Sequence, residues 1–205
     1  AMQDLDIRGA GNLLGAEQSG FITDMGYETY QKILAEAMEE LGVETGISTV
    51  HTDESFVEDC TIETDQPAMI PDTYIDITAE KIRIYKQLDS MTSDKEIDRI
   101  KSQLEDRFGD MPSEVDNLFD IVKIRNLGGK LGFEKIIIKN GMMIMFFISN
   151  QMSPYFKSKV FEGVLDKVNR NDQLFNIKQS EGKLKIVSRG IDSLTKALQT
   201  LNKLQ

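Results

Sequence analysis

The sequence predicts an α+β fold: a helical leading segment, a polar linker, then a mixed domain of helices and a mainly antiparallel sheet. Three observations carry this expectation. Apolar residues recur at helical spacing in several separate windows before residue 130. Asn140-Gly141, flanked by two apolar runs, reads as a β-hairpin. From that hairpin onward the order strand, strand, helix occurs twice, and two such units are expected to share one sheet with helices on one face.

The first helix is expected over 27–42. Tyr27, Tyr30, Ile33, Leu34, Ala37, Met38 and Leu41 form its apolar stripe, and Glu28, Glu36, Glu39 and Glu40 its solvated face. Gly26 precedes it and Gly42 stops it. Residues 46–56 are polar and poor in bulky side chains, so they read as a linker between a leading unit, 1–45, and a domain at 57–205. A strand is expected at 57–64, at a sheet edge. Pro67 and Pro71 break it, and Pro-Asp-Thr-Tyr-Ile at 71–75 forms a fixed turn.

Three helices follow. The first, 78–90, carries Ile82, Tyr85 and Leu88 on one stripe. Ser93 and Glu96 form a capping-box signal for the second, which presents Ile97, Ile100, Leu104 and Phe108 inward and stops at Gly109. Pro112 opens the third, with Val115, Leu118, Phe119, Val122 and Leu127 in its stripe, and Gly128-Gly129 is expected to weaken its end. The hairpin pairs 135–139 with 142–148, and the Met- and Phe-rich second strand reads as buried on both faces. Ser153-Pro154 starts a helix with Phe156, Val160, Phe161, Val164, Leu165 and Val168 inward. Strands near 173–179 and 183–188 join at Glu181-Gly182, and a helix over 191–204 uses Leu194, Leu198, Leu201 and Leu204.

Composition bounds the function. With 40% hydrophobic and 28% charged residues, the chain can bury a real core. The apolar run 142–148 is too short for a membrane span. Cys60 is the single cysteine, which excludes an internal disulfide and suits a reducing cytoplasm. His51 is the single histidine, which excludes a multi-histidine or Cys₂His₂ metal site. A His51–Cys60 dyad lacks supporting residues nearby. No metal site and no catalytic residue is assigned, and no Gly-x-x-x-x-Gly-Lys-Ser/Thr loop is present to cradle a nucleotide phosphate.

The net charge of −10 argues against the whole chain clamping duplex DNA. The charge is divided: residues 1–122 hold 9 Lys+Arg and 28 Asp+Glu, and residues 123–205 hold 15 and 6. Two units with different surfaces fit that split. The basic end, with Lys157, Lys159, Lys167, Arg170, Lys178, Lys183, Lys185 and Arg189, leaves open an accessory nucleic-acid-binding role for 123–205, although interleaved exposed aromatics are missing from the pattern.

Residues 4–20, Asp-Leu-Asp-Ile-Arg-Gly-Ala-Gly-Asn-Leu-Leu-Gly-Ala-Glu-Gln-Ser-Gly, form the stretch densest in special residues. Read from chemistry alone, this is a glycine-rich surface loop. It resembles, without gaps, the motif shared by transcription-repair coupling factors and RecG-type DNA translocases. The resemblance implies that Arg8, Gly9, Gly11 and Gln18 couple ATP hydrolysis to motor motion. Further on, Pro-Asp-Thr-Tyr-Ile at 71–75, Leu-Glu-Asp-Arg-Phe-Gly at 104–109 and Met-Pro at 111–112 resemble the carboxy-terminal domain of transcription-repair coupling factors, which RecG-type translocases lack. The chain is thus expected to be a fragment of a longer translocase, with ATP and Mg bound in motor domains outside it and no cofactor of its own. The resemblance further implies an intramolecular clamp on the repair-homology domain, hiding the surface that recruits UvrA. Gln103, Asp106 and Arg107 fall on that contact. The family often has glutamate where Gln103 stands. RNA polymerase, UvrA and double-stranded DNA are the partners implied for the parent protein, in the cytoplasm.

Overall fold

The computed structural model describes residues 56–205, apart from Glu58 and Glu181. The glycine-rich stretch with Arg8, Gly9, Gly11 and Gln18, the expected helix at 27–42, His51 and nearly all of the expected linker lie outside the described residues. The elements run β1 (Thr61–Thr64), α1 (Thr78–Asp89), α2 (Asp94–Phe108), α3 (Ser113–Lys130), β2 (Phe133–Lys139), β3 (Met142–Phe147), a 3₁₀ turn (Pro154–Lys157), α4 (Lys159–Arg170), β4 (Asn176–Ser180), β5 (Lys183–Arg189), α5 (Leu194–Leu201) and a final 3₁₀ turn (Asn202–Leu204). Among the described residues no helix is long and apolar enough to cross a membrane.

One five-stranded sheet has the order β1-β2-β3-β5-β4. Three of its pairings are antiparallel, and β1 lies parallel to β2 with Thr61 opposite Lys135. The fold is α+β with a mainly antiparallel sheet, as the sequence predicts. The hairpin turn is set by Asn140 at φ 53° and Gly141 at φ 71°, the left-handed pair that matches strand twist.

Alternation splits the sheet into two faces. Ile62, Ile136, Ile138, Met143, Met145, Phe147 and Ile186 are buried on the inner face. On the outer face Ile137, Met142, Ile144 and Phe146 are half-buried. The expectation that β3 is buried on both faces is therefore corrected, because the helices cover only one side of it.

The helix α3 is the centre of the fold. Its buried residues include Val115, Leu118, Phe119, Ile121, Val122, Ile124 and Leu127, so it is covered nearly all round and the single expected stripe undercounts them. Gly128 and Gly129 lie inside α3 and do not end it. A Cβ on Gly128 would come within 2.8 Å of both Cys60 Sγ and Ile136 Cδ1, so the missing side chain lets the helix sit close against the sheet. At the end of α3, Gly132 has φ +85°, and a Cβ there would meet the Tyr155 ring at 2.1 Å. Tyr155 donates its hydroxyl to Leu131 O at 2.5 Å and stacks edge-on against Phe161, while Phe147 meets both rings.

Other helices differ from expectation in instructive ways. In α1 the buried stripe is Ile84, Tyr85 and Leu88, with Ile82 half-buried. Lys81 is also buried there and is paired with Asp72. Ser93 is the N-cap of α2, but its side chain caps nothing: only its carbonyl accepts, from Glu96 N and Ile97 N. The helix expected from Ser153 is broken at Ser158, whose hydroxyl accepts from Phe161 N and restarts the chain as α4. The last helix starts at Leu194, capped by Ser193. Strand β1 is shorter than the expected 57–64, and β4 starts late because residues 171–174 turn.

Candidate functional site

The helices α1 and α2 meet in a groove of about 330 Å³. Its floor is apolar, formed by Ile84, Ile100 and Leu104, all buried. Its rim is polar: Arg83 and Gln87 from α1, and Gln103, Asp106 and Arg107 from α2. The spacing explains the arrangement. Ile97, Ile100 and Leu104 turn inward along α2, so residues 103, 106 and 107 stand on the shoulder of that stripe, one turn apart and exposed.

Glu80 ties the rim together. Arg83 Nη2 donates to Glu80 Oε1 at 2.8 Å and Arg83 Nε to Glu80 Oε2 at 3.1 Å. From the other helix, Arg107 Nη1 donates to the same Oε1 at 2.8 Å, bridging α2 to α1. The Arg83 hydrogen bonds first, then that of Arg107, hold the Glu80 carboxyl below its ordinary range. The Arg107 guanidinium also lies 4.8 Å from the centroid of the Phe108 ring. Asp106 has no hydrogen-bond or ion-pair partner among the described residues, and neither has Gln103. An apolar floor, a free carboxylate and two half-exposed guanidinium groups suit a docking contact. A partner arginine would meet Asp106, a partner carboxylate would meet Arg83 or Arg107, and a partner apolar side chain would fill the floor.

The structure therefore brings Gln103, Asp106 and Arg107 together, and adds Glu80, Arg83 and Gln87. The last three were not singled out from sequence. Glu80 and Arg83 at i,i+3 near the start of a helix were a readable signal of a shared face, but the pairing of that face with α2 is set by tertiary structure.

Cys60 is buried, and burial first, then the nearby Asp59 charge, push its thiol pKa well up, which makes it a poor nucleophile at neutral pH. Among the described residues no group of three His, Cys, Asp or Glu side chains could hold a metal ion. The basic residues do not form one surface. Lys157, Lys159, Lys167 and Arg170 sit on the 3₁₀ turn and α4, whereas Lys178, Lys185 and Arg189 lie on β4 and β5. Arg170 is paired with Asp166 at 2.7 Å, and Lys167 donates to the Gln205 carbonyl at 2.9 Å.

Comparison with known proteins shows that the chain belongs to the transcription-repair coupling factor family. The model of the TRCF domain family matches residues 64–158. The chain is similar to the transcription-repair-coupling factor of Rickettsia typhi, 34% identical over 204 residues that make up 98% of this chain and 17% of the relative. It is 39% identical to that of Staphylococcus epidermidis over 149 residues, 73% of this chain and 12% of the relative. For that of Bacillus subtilis the identity is 41% over 125 residues, 61% of this chain and 10% of the relative. The chain spans about a sixth of the length of the Rickettsia typhi relative and about an eighth of that of the Staphylococcus epidermidis one. Among solved structures, the C-terminal domain of a transcription-repair coupling factor superposes with a TM-score of 0.60 at 19% identity, covering 71% of this chain and 89% of that one. At that identity the likeness speaks for the fold.

Proposed function

From the premise that this chain is homologous to the carboxy-terminal part of transcription-repair coupling factors, we propose that its α1–α2 groove is an autoinhibitory clamp surface. It docks on the repair-homology domain of the same full-length protein and masks the surface that recruits UvrA. One observation carries the reading: Gln103, Asp106 and Arg107 converge with Arg83 on one groove, and its Asp106 carboxylate has no partner within the described residues. Leaving that charge unpaired has little cost while it is solvated. On docking, an arginine of the partner gives it a charge-assisted hydrogen bond.

The proposal extends to the whole protein. The parent is an ATP-dependent DNA translocase that acts in the cytoplasm on RNA polymerase stalled at lesions, binding duplex DNA and later UvrA. ATP and Mg belong to motor domains outside this chain, since the chain carries no phosphate-cradling loop. Residues 1–45, with Arg8, Gly9, Gly11 and Gln18, end that motor and relay its motion; residues 46–56 connect it to the regulatory domain at 57–205. A clamp of this kind needs only a few kcal/mol, so that motor engagement can release it. A polar-rimmed groove of modest size is on that scale.

The test is the double substitution Asp106→Ala, Arg107→Ala in the full-length protein. The expected result is UvrA binding about tenfold tighter than in the unsubstituted protein, read by calorimetry. Unchanged UvrA affinity, with the isolated repair-homology domain still titrating normally onto the substituted chain, would remove the groove from the clamp.

A further inference from the structure

The sheet has two edges, and they differ in charge. On β1 the outer-face residue Glu63 is held by Lys135 at 2.5 Å and by Lys139 at 3.4 Å. On β4 all five residues, Asn176–Ser180, are exposed. That strand is the end of the sheet order and pairs with β5 alone, so a row of its backbone N–H and C=O groups faces outward without a ladder.

Alternation sorts the β4 side chains. Lys178 stands in register with Lys185, and Lys185 with Phe146, on the outer face. No carboxylate pairs with Lys178, Lys185 or Arg189 among the described residues. Ile177 stands in register with Ile186 on the inner face and is 40% exposed. Next on that face, Gln179 lines a cavity of about 230 Å³ with Ile148, Phe156 and Leu184. One side of the strand is therefore cationic, and the other carries Ile177 and Gln179 beside a cavity walled by Ile148, Phe156, Leu184 and the Gln151 amide, with an open backbone edge between them.

We propose that the free edge of β4 is a docking rail for an extended, acidic protein segment that alternates carboxylate and apolar side chains. Its backbone continues the sheet, which supplies most of the affinity. Its carboxylates lie over Lys178 and Lys185, and its apolar side chains lie beside Ile177 and reach toward the cavity. Backbone pairing with alternate side-chain selection is the general logic of strand addition. A second copy of β4 does not fit: antiparallel self-pairing about the strand centre sets Lys178 against its own copy. A nucleic acid fits less well, because among the described residues Phe146 is the single aromatic ring on the outer face of the strands, and Lys185 already lies 5.6 Å from its centroid. This reading is independent of the α1–α2 groove.

The experiment uses the whole chain and a fluorescein-labelled, end-capped peptide of Glu-Val repeats. A blocked peptide of the same composition, with all glutamates before all valines, is the control. The expected result is saturable anisotropy with the alternating peptide, weaker binding of the blocked one, and slowed amide exchange across 176–180. The variant Lys178→Glu, Lys185→Glu should lose about tenfold in affinity and should instead bind a Lys-Val peptide. Both positions are on the strand surface, and circular dichroism checks that the variant is folded. Equal binding of the two glutamate peptides overturns the proposal, as does no binding at millimolar peptide. A labelled single-stranded oligonucleotide that binds where the peptide does not would also overturn it, and would assign the edge to nucleic acid.

Discussion

The α1–α2–α3 layer and the β4–β5 hairpin handle charge in opposite ways. The helical layer is rich in acids, and its charges are tied from element to element: Glu80 with Arg107, Lys101 with Asp116, Lys123 with Asp98, and Arg125 with Asp89. The hairpin is rich in cations, and Lys178, Lys185 and Arg189 meet no carboxylate among the described residues. A sum of charges along the chain separates the two regions but misjudges them. In the first, four ion pairs knit the helices together, while Asp94, Glu96, Glu105 and Asp106 face outward with no ion pair among the described residues. In the second, the charge is left outward-facing. Where charge is already paired, its loss is felt in stability; where it is unpaired, its loss is felt in binding.

The sharpest way to break this contrast is Arg125→Ala. Arg125 is 9% exposed, bonds Asp89 Oδ1 at 2.6 Å and the Asp89 carbonyl at 2.7 Å, and its charge lowers the pKa of Asp59, which burial raises more strongly. Removing it takes away a buried guanidinium and leaves the half-buried Asp89 carboxylate without this cation, and unfolding by urea should show a loss of about 3 kcal/mol. Gly128→Val comes next. It presses on Cys60 and Ile136, and should cost about 2 kcal/mol by overpacking in the same measurement. Its side effect is diagnostic: Cys60, silent toward a thiol reagent in the native protein, should become measurably reactive as the β1–α3 seam opens.

The smallest effect is the pH-dependent one. The Glu80 carboxyl is held below its ordinary range by Arg83 and then Arg107. A carboxyl lowered in the folded state contributes in full above its unfolded pKa of about 4.3, and the contribution fades as pH falls through the lower folded value. Glu80→Gln should therefore cost less than about 1 kcal/mol near pH 7, since both arginines are largely exposed. The gap between variant and parent should close on acidification below pH of about 4. A gap that widened in acid would contradict the assigned pairing.

What was legible in the sequence was what depends on neighbours along the chain. Asn140-Gly141 specifies its turn wherever it sits, Gly109 ends α2, and the apolar stripe of α2 is buried as spaced. The parallel pairing of β1 was not legible, because its partner Lys135 lies far along the chain from Thr61 and nothing in a four-residue strand names it. The burial of α3 on nearly all sides was also hidden, since a stripe argument assumes one solvent face. At Ser158 a local cap overrode a continuous apolar pattern. For the groove, Gln103, Asp106 and Arg107 entered through family resemblance. Glu80 and Arg83 came only with the packing of α1 on α2, which no local spacing encodes.

The position of β1 has a mechanical consequence. Between Thr64 and its partner Ile138 lie all of α1, α2 and α3. Closing so long a loop makes β1 the costliest strand to hold in entropy, and as an edge strand it has one neighbour to hold it. Peeling its four residues leaves the antiparallel strands paired and lengthens the leash by about 13 Å at the extended-chain rise. A pull on the chain ahead of Thr61 would meet this four-residue strand before it met the antiparallel ones.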